Sequence, residues 1–138
     1  MTPHQATAVA IGGRALLIEG MPGSGKSSLA LALIDRGARL IGDDSVMLEA
    51  REARLLAHPH PKTRGLLEVR NLGLLRFEVC ESAPVALVLT LDREASRHVE
   101  VAETVERAGI TVPMLRLWPD SPVLAIRAEL ALKRFGLA

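Results

Sequence analysis

The apolar residues of this chain come in short runs that glycine, proline and polar residues interrupt, and this pattern predicts alternating strands and helices. The runs 7–11 and 14–18 flank Gly12-Gly13, a two-residue turn typical of a β-hairpin. The run 85–91 is continuously apolar, as expected for a central strand. Further strands are predicted at 39–41, 66–69 and 74–79, a second hairpin at 46–49 and 54–57, and a proline-broken loop at 58–62.

A helix is predicted after residue 26. Leu29, Ala30, Leu33 and Ile34 recur at helical spacing and would share one apolar face, and Gly37 supplies a C-terminal stop. Parallel and antiparallel strands are both expected around this helix. The pattern therefore predicts an α/β fold with a mixed sheet flanked by helices.

A second helix is predicted near the end of the sequence. Ser121 is a suitable N-cap, and Pro122 suits the first helical position. The predicted apolar face consists of Val123, Ile126 and Leu130, Gly136 follows the end of the helix, and Glu129 can pair with Lys133 one turn away.

A glycine-rich segment between the run 15–18 and the first helix reads G-x-x-x-x-G-K-S, the pattern of a phosphate-binding P-loop. Glycines let the backbone bend so that successive N–H groups converge on phosphate oxygens. A lysine at this position reaches the β- and γ-phosphates, and the following serine hydroxyl can ligate Mg²⁺. The segment predicts a nucleoside triphosphate site made of Gly20, Met21, Pro22, Gly23, Ser24, Gly25, Lys26 and Ser27.

Composition narrows the class of protein. The 138 residues, with 49% hydrophobic content, are expected to form one globular domain over 1–138. A net charge of +1 and few aromatic residues give no reason to expect nucleic acid. Cys80 is the one cysteine, which favours a reducing compartment, and no apolar run approaches the roughly 18 residues of a membrane span. We therefore expect a cytoplasmic protein that does not contact a membrane.

Acidic residues at predicted strand ends are candidates for chemistry. Asp43-Asp44 follows the strand 39–41 and could hold Mg²⁺ or act as a base toward the nucleophile, although such pairs are also common in surface turns. Glu68 lies in a predicted strand, where it is either solvent-facing or a further contact to the metal. His58 and His60 have metal-ligand spacing, but no further cluster completes a site.

Three ordered blocks, 20–27, 36–44 and 65–73, together resemble the catalytic C-terminal domain of HPr kinase/phosphorylase. The second block reads R-G-A-R-L-I-G-D-D and the third G-L-L-E-V-R-N-L-G. The resemblance is to the short form of that family, without its N-terminal domain. It implies a compact P-loop domain related to phosphoenolpyruvate carboxykinase, often assembled into hexamers, that phosphorylates a serine of the phosphotransferase-system carrier HPr or a paralogue. It also implies the reverse reaction and a role in regulating carbohydrate or nitrogen metabolism.

The resemblance assigns roles to individual residues. Lys26 and the loop backbone would bind the phosphates of ATP, while Ser27 and Glu68 would bind Mg²⁺. Asp44, with Asp43 beside it, would be the base that takes the proton of the serine hydroxyl. Arg70 would be a charge clamp on phosphate, because a guanidinium matches phosphate geometry.

Three positions depart from the family pattern. Gln5 stands where the family has a histidine, with His4 one place earlier, and Asn71 replaces a glycine. The proline-glycine-arginine loop linked to dephosphorylation is not visible at 115–122. An ATP-binding sensory module with little phosphotransfer is therefore the alternative, and a small-molecule kinase is a third, weaker option.

Overall fold

The computed structural model describes residues 1–138 as eleven strands and two helices. Most strands are short, as the interrupted apolar runs predict. The strands are β1 (Thr2–His4), β2 (Thr7–Ile11), β3 (Arg14–Gly20), β4 (Arg39–Gly42), β5 (Val46–Arg51), β6 (Arg54–Pro59), β7 (Leu66–Val69), β8 (Gly73–Arg76), β9 (Ala83–Leu91), β10 (Glu103–Arg107) and β11 (Ile110–Leu117), and the helices are α1 (Lys26–Asp35) and α2 (Leu124–Phe135).

Nine of the strands form one mixed sheet, which confirms the predicted fold class. Its main path runs β1-β5-β6-β9-β3-β2-β4, and β11 joins it on β9. The central strand β9 pairs in parallel with β3 and β11 and antiparallel with β6. Strands β7 and β8 form a separate hairpin. The parallel pairing of β3 and β9 brings the carboxyl end of β3, where the P-loop begins, to the same edge as the end of β9.

Alternating residues of β3 and β9 feed two apolar clusters, one on each face of the sheet. Leu16 and Ile18 pack with residues of α1 and α2 in one cluster, whereas Leu17 belongs to the other cluster, with β5 and β6. This alternation is the period of two that a strand imposes on its side chains. Both faces of these two strands are therefore dry, which accounts for their continuous apolar sequence.

The hairpin of β2 and β3 is confirmed. The two strands pair antiparallel across Gly12 and Gly13, whose φ angles of 56° and 84° are those that a type I′ turn needs. The predicted hairpin of β5 and β6 is also present, but it extends further than predicted. His58 and Pro59 belong to β6 rather than to a loop, and the His58 ring bonds Glu49 across the hairpin at 2.9 Å.

The predicted apolar face of the last helix is wrong. Val123, Ile126 and Leu130 are each at least 40% exposed. The helix begins at Leu124 and carries no side-chain cap, although the Ser121 hydroxyl accepts a hydrogen bond from the Val123 N–H at 3.2 Å. Small residues allow this helix to lie close to the sheet, so the buried face is instead Leu124, Ala128, Ala131 and Leu132.

Other predictions at the edges of the fold need correction. Glu129 pairs with Arg36, the C-cap residue of α1, with 2.8 Å between the nearest atoms, and so links the end of α1 to α2 instead of pairing with Lys133. The strand predicted over 74–79 ends at Arg76. Strand β1 and the hairpin of β10 and β11 were not predicted, because β10 is largely exposed and its sequence, Glu-Thr-Val-Glu-Arg, has no apolar run.

We expect the core around β9 to dominate stability. Leu89 is fully buried between β3 and β11, so Leu89→Ala should lower the free energy of unfolding by about 2–5 kcal/mol through lost burial and the cavity left behind. Urea denaturation measures this change. Leu130→Ala is the matched control, because Leu130 is 58% exposed and its loss should change the free energy of unfolding by no more than about 0.5 kcal/mol. Equal effects of the two substitutions would contradict the packing described here.

Candidate active site

The P-loop connects the carboxyl end of β3 to the first residue of α1. Gly20 has φ 151°, and a Cβ there would lie 2.8 Å from the Ser24 hydroxyl and 3.2 Å from the Leu91 carbonyl, so only glycine fits. Helix α1 has no side-chain cap at its amino end. The first N–H groups of a helix have no partner within it, so this end of α1 presents free donors and a positive dipole to an anion.

The Lys26 ammonium lies over the loop. Its Nζ donates to the carbonyl oxygens of Gly20 at 2.9 Å and Met21 at 3.1 Å. These two contacts hold the positive charge beside the loop backbone, where phosphate oxygens would lie in a P-loop site. The predicted phosphate-binding lysine is thus positioned by the loop that it serves.

Asp43 is the most connected polar residue of the site. It follows β4, and its Oδ1 accepts hydrogen bonds from the Ser27 hydroxyl at 2.7 Å and the Thr7 hydroxyl at 3.0 Å. Its Oδ2 accepts a hydrogen bond from the backbone N–H of Glu68 at 3.1 Å. One carboxylate therefore joins α1, β2 and β7.

Asp44 differs sharply from its neighbour. It adopts φ 64°, an unusual conformation for a residue other than glycine, and its backbone N–H donates to the Thr7 hydroxyl at 3.4 Å. The Asp44 carboxylate accepts no hydrogen bond from the protein and lines a cavity. Of the two predicted acids, Asp43 accepts three hydrogen bonds from the protein, and the Asp44 carboxylate accepts none.

A cavity of about 300 Å³ brings together the side chains that sequence singled out. It is also lined by Thr7, which is 1% exposed and which the sequence analysis missed because a lone threonine in an apolar strand carries no pattern. Gly20, Met21 and Ser24 do not line it and face a second cavity beside β9. The predicted residues in the first cavity are Pro22, Gly23, Gly25, Lys26, Ser27, Asp43, Asp44, Glu68 and Arg70.

The oxygen atoms in this cavity suit a magnesium ion bound together with phosphates. No group of three or more His, Cys, Asp or Glu side chains is arranged as a metal site. Mg²⁺ does not need one, because it commonly takes one or two protein oxygens and completes its shell with water and substrate phosphates. Ser27 and Glu68 line the cavity and offer such oxygens.

Two of the departures from the family pattern, Gln5 and Asn71, can be located in the structure. Gln5 is exposed between β1 and β2, and His4 is turned away from the cavity, with its Nε2 2.7 Å from Glu19. Asn71 adopts φ 71°, as expected of the residue that best replaces glycine in that conformation. His4 therefore does not stand in for the histidine that the family has at position 5.

Glu19 immediately precedes the P-loop and forms an ionic cluster with His4 and Arg107. Its carboxylate is 15% exposed and pairs with Arg107, with 2.6 Å between the nearest atoms, as well as with His4. Burial would raise the pKa of the Glu19 carboxyl, but hydrogen bonds from His4 and Arg107 outweigh burial and lower this pKa from 4.5 to about 2. The cluster joins β1, β3 and β10.

Comparisons with a family model and with curated relatives point to the same family. The model of the family described as HPr Serine kinase C-terminal domain matches residues 2–113. The HPr kinase/phosphorylase of Streptococcus uberis is 36% identical over 122 residues, covering 76% of this chain and 38% of that protein. That of Clostridium tetani is 46% identical over 63 residues, covering 46% of this chain and 21% of that protein. The chain thus spans well under half the length of these curated relatives.

A solved structure has the same fold. The HPr(Ser) kinase/phosphatase from Coxiella burnetii superposes with a TM-score of 0.85 at 24% identity, covering 96% of this chain and 95% of that one. At this identity the match establishes architecture. No helix in the structure combines the length and the apolar character needed to cross a membrane.

The low pKa of Glu19 predicts acid sensitivity. A carboxyl whose pKa is lower when folded than when unfolded stabilises the fold fully above its unfolded pKa, and that contribution is lost as pH falls through the folded value. The Glu19 contribution should therefore be complete above pH 4.5 and disappear as pH falls toward about 2.

Chemical denaturation at a series of pH values measures this dependence. Glu19→Gln should be less stable than the original protein at pH 7, and the difference should shrink as pH falls below 4.5. Glu78→Gln is the matched control, because the exposed Glu78 makes no hydrogen bond or ion pair, and it should keep the original pH profile. A stability difference for Glu19→Gln that does not change with pH would contradict the prediction.

Proposed function

The chain belongs to the HPr serine kinase C-terminal domain family, and we propose that it is an ATP- and Mg²⁺-dependent kinase acting on a serine of HPr or of a paralogous carrier. The observation that carries the proposal is the position of the Asp43 carboxylate, which accepts hydrogen bonds from the P-loop serine Ser27 and from the backbone of β7. Beside it in the same cavity lies the Asp44 carboxylate, which accepts no hydrogen bond from the protein. We further propose that it works in the cytoplasm as a homo-oligomer, with a role in regulating carbohydrate or nitrogen metabolism.

The phosphates of ATP would occupy the P-loop. The free N–H groups at the start of α1 and the Lys26 ammonium supply donors and positive charge in one place. Lys26 would exchange its contacts with the Gly20 and Met21 carbonyls for phosphate oxygens. This exchange supports binding of a polyphosphate in preference to a singly charged anion.

Ser27 and Glu68 would hold the magnesium ion. Because the Ser27 hydroxyl donates a hydrogen bond to Asp43, the lone pairs of its oxygen remain free for a cation. When bound, Mg²⁺ neutralises charge on the β- and γ-phosphates. Asp43 itself is occupied by three donors and acts on the metal site only by orienting Ser27 and the β7 backbone.

Asp44 would be the base of the transfer step. The hydroxyl oxygen of the carrier serine attacks the γ-phosphorus, the bond from that phosphorus to the β,γ-bridging oxygen breaks, and ADP leaves. The serine proton passes to the Asp44 carboxylate, which has no hydrogen bond within the protein to compete for it. In the dephosphorylation reaction, an oxygen of inorganic phosphate attacks the phosphorus of phosphoserine, and the bond from that phosphorus to the serine oxygen breaks. Pyrophosphate forms, and protonated Asp44 gives its proton to the serine oxygen.

Arg70 would hold the transferring phosphoryl group. It lines the same cavity as Asp44 and Glu68 and carries the planar guanidinium that matches phosphate oxygens. Because it lies one residue after the end of β7, its position depends on the strand that Asp43 anchors.

An ATP-binding sensory module with little phosphotransfer is a second candidate, and one observation favours it. Gln5 replaces the histidine of the family, and His4 is engaged by Glu19 instead of compensating. The acid pair then has no imidazole beside it. ATP would bind in the same way, but contact with a partner would be the output.

A phosphotransfer assay separates the two functions. The protein is incubated with Mg²⁺, γ-labelled ATP and HPr from the same organism, and label on the carrier serine is followed. We expect transfer by the original protein, and a loss of at least about 100-fold in Asp44→Asn, since general-base catalysis is typically worth 10²–10⁴-fold. ATP affinity of Asp44→Asn should stay within about threefold, because Asp44 makes no contact that builds the P-loop.

Lys26→Ala is the control for label that does not depend on the P-loop, and it should lose both ATP binding and transfer. Undiminished transfer by Asp44→Asn would rule out Asp44 as the base. ATP binding by the original protein without label on the carrier would favour the sensory module over the kinase.

A further inference from the structure

A groove adjoins the cavity that contains the acidic pair. It has a volume of about 200 Å³ and lies between the first turns of α1 and the segment that leads into α2. We call it the α1–α2 groove. The side chains that matter for its chemistry are Ser28 and Ala32 on α1, and Pro119, Pro122 and Ala125 on the opposite wall.

The groove is continuous with the phosphate site. Gly25 and Ser28 line both the groove and the cavity that holds Lys26 and Asp44. Ser27 faces the acidic side, because its hydroxyl bonds Asp43 at 2.7 Å. The next residue, Ser28, is turned about 100° around the helix axis, toward α2. A phosphate chain with its reacting end at Asp44 would therefore leave the loop at Ser28 and enter the groove.

The chemistry of the groove is unlike that of the phosphate cavity. No charged side chain lines it, whereas the phosphate cavity contains Lys26, Asp43, Asp44, Glu68 and Arg70. Two proline rings and several aliphatic side chains give apolar surface, and two serine hydroxyls give hydrogen-bonding capacity. Such a lining suits a neutral planar group with polar edges.

We propose that the α1–α2 groove binds the nucleoside part of the nucleoside triphosphate. This inference rests on the proposed binding of ATP at the P-loop. Pro119, Pro122 and Ala32 would contact the base, and the Ser28 and Ser121 hydroxyls would donate hydrogen bonds to the nucleoside. The groove thereby distinguishes a nucleotide from inorganic polyphosphate.

The cavity on the β9 side of the loop fits a nucleoside less well. It is larger, about 530 Å³, and shares Pro119 with the groove, but its wall includes Asp92, Arg93 and Arg116. These charges are already paired, Arg93 with Asp120 at 3.2 Å and Arg116 with Asp92 at 3.3 Å. A neutral base there would lie against ion pairs, and the cavity meets the loop at residues 20–24 instead of at Ser28.

Calorimetric titration with two ligands tests the proposal. The original protein is titrated, in the presence of Mg²⁺, with ATP and with inorganic tripolyphosphate, which carries the phosphate chain without a nucleoside. Ala32→Phe fills the groove from an exposed position on α1, and Leu130→Phe, on exposed surface of α2 outside the groove, is its matched control.

We expect the original protein and Leu130→Phe to bind ATP at least about tenfold more tightly than tripolyphosphate. Ala32→Phe should bind the two ligands within about threefold of each other, with its tripolyphosphate affinity unchanged. Equal affinities in the original protein, or an undiminished preference for ATP in Ala32→Phe, would overturn the proposed nucleoside site in the groove. Either result would leave the proposed phosphate site at the P-loop standing. Failure of the original protein to bind either ligand would instead overturn the proposed function.

Photolabelling of the unaltered protein with 8-azido-ATP gives a second readout that does not depend on a variant. Trypsin cleavage after Lys26 and Arg36 releases residues 27–36, which line the groove and not the β9 cavity. Cleavage after Arg116 and Arg127 releases residues 117–127, whose Pro119 lines both cavities. Label on residues 27–36, removed by excess ATP, is expected, and label that misses this fragment would overturn the proposal. Label confined to residues 77–93, beside the β9 cavity, would overturn the proposal.

Discussion

The candidate site depends on one carboxylate. Asp43 receives a hydrogen bond from the Ser27 hydroxyl, one from the Thr7 hydroxyl and one from the Glu68 backbone, so three elements distant in sequence meet at two oxygen atoms. Hydrogen bonds to an ionised acceptor are among the stronger ones in proteins, and a partly buried carboxylate needs several. Asp43 therefore orients both the P-loop serine and β7, the strand that carries Glu68 and leads into Arg70.

The rest of the fold serves to bring those elements together. The parallel pairing of β3 with β9 sets the edge at which the P-loop opens, and β2 lies between β3 and β4, so that Thr7 and Asp43 come within one hydrogen bond of each other. The packing of α1 against the sheet then aims Ser27 at the same point. The same strand pairing and helix packing that form the core therefore also set the geometry of the candidate site.

The sequence predicted the parts of the site that have local patterns. The P-loop, Asp43-Asp44 and the β2–β3 hairpin depend on residues adjacent in the chain, and the structure brings the predicted acids, Glu68 and Arg70 into one cavity. Thr7 and Glu19 were missed because each is a single polar residue in an apolar strand, and its partners come from distant strands. The face of α2 was mispredicted because tight packing selects small residues such as Ala128 over larger ones.

The resting position of Lys26 affects which ligands can enter the loop. Its ammonium is satisfied by two carbonyl oxygens, so an incoming anion must displace contacts that the protein already makes. A polyphosphate offers several charged oxygens at once and can replace both contacts. The two carbonyl oxygens thus act as internal competitors for the Lys26 ammonium, and they raise the number of oxygen atoms that a ligand must supply in order to replace them.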